Sequence, residues 1–149
     1  VMPNTDGVGY WRFTTDQDNW RALAVAQDEL SPGEQIVYAD SLVAGFTAGN
    51  VSADALLQGL EASTNGTWDA VMQPLSAHEK LEAMLPEDAK SEMKDWVQST
   101  YIDLYASLER DDVTVGESLL RTALEDTLLQ HGQMPDMRED LAARAGQYL

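Results

Sequence analysis

Residues 9–20 read GYWRFTTDQDNW, and they stand apart from the rest of the chain. Tyr10-Trp11-Arg12-Phe13-Thr14-Thr15 is aromatic, basic and β-branched, the composition of a strand. Thr15 or Asp16 then offers a helix cap, followed by Trp20, Leu23, Ala24 and Ala26 in a helix reaching about Leu30. Nearly everything downstream is helix-patterned and acidic. A lone strand-like segment has no partner strand in this sequence, so its reading decides what kind of object the chain is.

Helix punctuation downstream is dense. Ser31-Pro32-Gly33-Glu34 combines a capping-box spacing with Pro at the first helical position, and the helix it starts ends near Gly49. Ser52 caps a shorter helix carrying Leu56, Leu57 and Leu60. Asn65-Gly66 is a turn, and Thr67 opens a helix through Trp68, Val71, Met72, Leu75, Leu81 and Leu85. Pro74 kinks or interrupts that helix, with Ser76 to Glu79 offering a capping-box restart. After Pro86 the apolar positions Ala89, Met93, Trp96, Val97, Tyr101, Leu104, Tyr105 and Leu108 step by three and four. Thr114 to Glu117 is a further capping box, Gly132 closes its helix, and Pro135 opens the last. The count is seven helices with short connections, an all-α array. The helix after Ser31 is apolar on both sides, with Ile36, Val37, Val43 and Ala44 against Tyr38, Leu42 and Phe46, so it is sandwiched between neighbours. No sequence period is evident, and composition leaves a closed bundle and a repeat stack both open.

The chain has 149 residues, with 26 Asp+Glu against nine Lys+Arg and a formal net charge of -17. The charge is spread evenly along the chain: -9 over residues 1–85 and -8 over 86–149. A uniformly acidic surface disfavours nucleic acid and anionic membrane as partners. Without cysteine there is no disulfide framework, thiol catalysis or thiolate metal site. No signal-peptide pattern and no run of about 18 apolar residues occurs. The sequence therefore reads as soluble, without a targeting segment and with its compartment undetermined. Its start, VMPNTDG, reads like the middle of something longer.

Candidate chemistry is sparse. His78-Glu79-Lys80-Leu81-Glu82 approaches the helical zinc-peptidase pattern, but Glu82 stands where the second His is needed. The other histidine, His131, sits beside Gly132 at a helix C-terminus, an ordinary place for an imidazole. Asp40 shares a helix side with Ile36, Val43, Ala44 and Thr47, so it is at least partly buried and needs a cation or several donors. Arg12, one of three basic residues before Pro86, is the expected partner in a structural ion pair anchoring the opening segment to the second helix. Trp96, Tyr101 and Tyr105 lie at core spacing. No phosphate loop, nucleophile elbow or calcium loop is present, and no catalytic, cofactor-binding or metal-binding residue is assigned to the chain.

The opening segment carries a resemblance. Gly9-Tyr10-Trp11-Arg12-Phe13, then Asp16, Trp20 and Leu23, is similar to a junction in the M1 family of zinc aminopeptidases (aminopeptidase N-like), where a G-Y-Y-R-V-like strand ends a β-sandwich domain and a D-x-x-x-W helix begins the helical, ERAP1-like C-terminal domain. The helix of Glu34 to Leu42, with Ala48-Gly49 after it, resembles the family's R-x-x-L-x-x-D-x-x-x-L-A-x-x-G helix. Glu34 or Gln35 replaces its Arg. Thr67-Trp68-Asp69 and Leu119-Leu120-Arg121 through Met137-Arg138 to Ala145 are looser likenesses.

The resemblance implies an α-α superhelix of antiparallel helix pairs, a HEAT/ARM-like solenoid. Residues 1–15 would be the end of a preceding β-domain or a linker strand, and residues 16–149 the front portion of the C-terminal helical domain. It also implies a non-catalytic role, covering the active-site cleft of a metallopeptidase and shaping peptide access. Zinc belongs to the parent's catalytic domain, which this chain does not contain. The partners implied are the parent's remaining domains and its peptide substrate, with self-association of the fragment through the opening strand or through Met137, Leu141, Ala145 and Leu149. The alternative is a stand-alone helical-repeat adaptor that binds a basic protein through its acidic surface.

Overall fold

The computed structural model of the chain describes residues 1–9 and 11–146, apart from the side chains of Asp140, Arg144 and Ala145. The all-α expectation holds: no β-strand occurs among the described residues. The helices are α1 (Gln17–Val25), α2 (Pro32–Thr47), α3 (Ala53–Ser63), α4 (Trp68–Met72), α5 (Ala77–Met84), α6 (Lys90–Ser107), α7 (Val115–Gln130) and α8 (Pro135–Gly146). Single 3₁₀ turns occur at Thr5–Gly7, Gln27–Glu29 and Glu87–Ala89.

Local chemistry starts most of these helices. Asp16 Oδ1 accepts from the Asn19 amide at 2.7 Å at the start of α1. Ser31 and Glu34 form a reciprocal capping box on α2, as do Thr114 and Glu117 on α7, and Ser52 accepts from the Ala55 amide at α3. Each such cap satisfies amide donors that the helix leaves unpaired. Gly49, at φ +75°, terminates α2 in the left-handed conformation that favours glycine.

Two expected starts differ. Thr67 makes no side-chain cap on α4. Ser76 lies in right-handed helical conformation and also makes none, so the Ser76–Glu79 capping box does not form. The reason is Pro74. Lacking an N–H, it breaks the expected fourth helix into α4 and α5. Residues 73–76 turn tightly instead, with the Ala77 amide donating to the Pro74 carbonyl at 2.9 Å. Ser76 therefore stays inside a continuing turn and never takes the extended geometry a cap requires.

Packing runs along the chain in overlapping pairs. α3 lies against α1 and α2, α4 joins α2 to α7, and α7 lies between α6 and α8. Trp20, Tyr38, Leu42, Leu56 and Leu60 fill the first half of the core, and His78, Val97, Tyr101, Leu124 and Leu128 the second. The α2–α3 crossing is close: a β-carbon at Gly59 would overlap the Leu42 side chain and lie 2.6 Å from the Tyr38 hydroxyl.

The opening segment belongs to this core through side chains. Phe13 stacks on Trp20 at 5.0 Å between ring centroids, and Trp20 in turn meets Tyr38 at 5.7 Å. The Phe13 amide donates to Ser41 Oγ at 3.2 Å. Asn4 is buried and accepts from the Gly9 amide, while its amide nitrogen donates to the Gly9 carbonyl at 2.9 Å. Polar side chains thus satisfy backbone groups that a sheet would otherwise pair. Tyr10 lies outside the described residues.

Candidate functional site

Arg12 and Asp40 come together where the opening segment crosses α2. Arg12 Nε donates to Asp40 Oδ2 at 2.7 Å and its Nη2 to Oδ1 at 2.9 Å, a bidentate fork. Gln73, in the turn around Pro74, donates to the same carboxylate at 3.2 Å. The hydrogen bonds from Arg12 hold the Asp40 carboxyl below the usual carboxylate range, against the opposing cost of partial burial. Asp40 thus joins three parts of the chain: the opening segment, α2 and the α4–α5 turn.

An open groove of about 630 Å³ surrounds this pair. Gly7, Gly9 and Gly33 form one wall, Ile36 and Val37 of α2 the floor, and Trp11 the rim. Trp11 is 50% exposed and Val8 78% exposed, large apolar surfaces on a segment otherwise tied to the core. The glycines let two backbones meet closely, since a β-carbon on Gly33 would lie 2.9 Å from the Asp6 carbonyl oxygen. Glu34 reinforces the approach. It accepts from the Ser31 amide at 2.8 Å and from the Asp6 amide at 3.1 Å, and these bonds, Ser31's foremost, lower its proton affinity.

His78 and Glu79 diverge. His78 is fully buried, with Nδ1 at 2.7 Å from the Leu75 carbonyl, while Glu79 is exposed. Burial pushes the His78 imidazole down to about 4, so it is neutral at physiological pH. His131 meets this site from the far end of α7. Its ring stacks on His78 at 5.8 Å, and its Nδ1 lies 2.6 Å from Glu82 Oε2. Sequence reasoning missed this cluster because His131 looked explained by its helix end. The Glu82 position, one helical turn after His78, was the available signal.

The donor set does not fit zinc. No group of three potential metal ligands assembles among the described residues. The remaining aromatic candidates are packing elements. Trp96 and Tyr101 surround His78 at 5.9 and 5.3 Å, and Arg121 lies over the Tyr105 ring at 4.9 Å. No helix among the described residues is long and apolar enough to cross a membrane.

The described residues form an all-helical array to which the opening segment is tethered through Arg12 and Phe13. The family model for the ERAP1-like C-terminal domain matches residues 1–149, and the chain belongs to that family. This is a helical domain of M1 aminopeptidase-like proteins, and it implies further domains in the parent. No curated protein and no solved structure matches the chain.

Proposed function

We propose that the chain is the non-catalytic helical domain of a zinc-dependent aminopeptidase, covering the active-site cleft and limiting which peptides reach it. The observation that carries this reading is the family match over residues 1–149. In this proposal residues 1–15 are the end of a preceding β-domain, and the exposed Val8 and Trp11 support it as surface that a neighbouring domain covers. Zinc and the hydrolytic step belong to the parent's catalytic domain, and peptide is the substrate that the whole protein encloses. Exposed apolar surface also favours self-association of the separate chain. Met137 and Leu141 of α8 are half-buried, while the Ala145 side chain and Leu149 lie outside the described residues.

The test uses the complete reading frame that encodes this chain. Upstream of Val1 it should contain an HExxH zinc motif. Full-length protein and a version lacking residues 16–149 are then compared on a short aminoacyl reporter and on peptides of increasing length. The expected outcome is that deletion changes length discrimination far more than reporter turnover. A frame without the zinc motif, or identical length profiles for the two proteins, overturns the proposal.

A further inference from the structure

The groove at Trp11 and Arg12 belongs to the domain seam already described. A second groove, between Leu57, Leu81, Leu85, Met93 and Trp96, has nothing beside it that says what covers it. The cluster of His78, His131 and Glu82 has defined chemistry.

His78 Nδ1 faces a backbone carbonyl, which can only accept, so this nitrogen carries the ring proton and donates it to Leu75. His131 Nδ1 likewise faces a carboxylate oxygen and donates to Glu82. The lone pair of neutral His78 is therefore on Nε2, which is buried and has no hydrogen-bond partner among the described residues. A second proton on His78 has to bind there. The groups around that position offer it no free anion. From α6 come the Trp96 and Tyr101 rings, and burial raises the Tyr101 hydroxyl so that it stays protonated. From the end of α7 comes His131, whose positive charge, when present, opposes a charge on His78. From α5 comes Glu82, already engaged by His131 and felt electrostatically by Lys90 of α6.

We propose that the stacked His78–His131 pair, with Glu82, is an acid-sensitive latch that holds α5 against α6 and the end of α7. The closed latch requires neutral His78. Acid places a cation in a site built for an uncharged ring, and α5 is released from the array at the junction between its two halves. Hydration of the freed imidazolium drives the opening.

The test is amide hydrogen exchange of the intact chain at pH 7.5 and pH 4.5, corrected for intrinsic exchange rates, with the histidine Hε1 resonances followed by NMR. From proton affinities of about 4 in the fold and 6.5 when released, the opening constant of α5 should rise roughly 70-fold between these pH values. Amides of α1–α3 should change far less. His78→Asn, whose side-chain amide replaces the Nδ1–H donor, should flatten the α5 response. If that variant does not fold, the wild-type NMR titration decides: His78 must stay neutral to below pH 5 and gain its proton together with the exchange change. Uniform acceleration over all helices overturns the latch, as does full acid sensitivity in His78→Asn or titration of His78 near 6.5 without opening.

Discussion

Gly59→Ala sets two local effects against each other, and the sign of its outcome reports the spacing of α2 and α3. Glycine in the middle of a helix costs about 0.5–1 kcal/mol relative to alanine, so helix propensity alone makes this variant more stable. Packing opposes it. The new methyl would overlap Leu42 and sit 2.6 Å from the Tyr38 hydroxyl, and both side chains are fully buried with no room to swing aside. Overpacking of a closed core costs about 1–3 kcal/mol, and two obstructed neighbours place this case toward the upper end. The net expectation is a loss of about 1–2 kcal/mol, or a fall of roughly 3–6 °C in melting temperature for a chain of this size. Urea melts followed by far-UV circular dichroism measure it. Leu42→Val in the same background should recover part of the loss, because it vacates the space the methyl needs. A Gly59→Ala chain as stable as wild type, or more so, refutes the close crossing and the core built on it.

Trp20→Ala should cost about 3–5 kcal/mol in the same melts, since Trp20 is buried between Phe13 and Tyr38 and the hole cannot refill. Ser31→Ala should cost about 1 kcal/mol by removing the acceptor that caps α2. Asp40 has a folded proton affinity below its ordinary 3.8, so its ion pair stabilises the fold above that pH and the contribution is lost as pH falls through the lowered value. Asp40→Asn should therefore flatten the acid limb of the stability profile below about pH 4. His78 acts in a different window: its folded value of about 4 lies under the unfolded 6.5, so stability falls as pH drops between these two values and levels off below. The full effect is about 3 kcal/mol, and a comparison of stability at pH 7 and pH 4 in wild type and His78→Asn measures it.

Most of the fold is local, and local features are what a sequence displays. Asp16, Ser31, Ser52 and Thr114 cap the helices they precede because each cap is decided within four residues. Arg12 and Asp40 were also legible as partners: a carboxylate on an apolar helix side requires a cation, and few cations are available in that half of the chain. The capping spacing at Ser76 misleads because it says nothing about the turn that Pro74 imposes two residues earlier.

The opening stretch shows where sequence reasoning ends. By itself GYWRFTTDQDNW established strand-like composition, a cap and a helix start, all properties of neighbouring residues. Only the tertiary structure decided that Phe13 stacks on Trp20, that Ser41 receives the Phe13 amide, and that Trp11 stays half exposed. The same division holds at His78. The sequence fixes a histidine one helical turn from Glu82, but His131 reaches both only when α7 packs back across the array. Hydrogen bonds within a turn follow from spacing along the chain, whereas the meeting of distant rings depends on how whole helices pack.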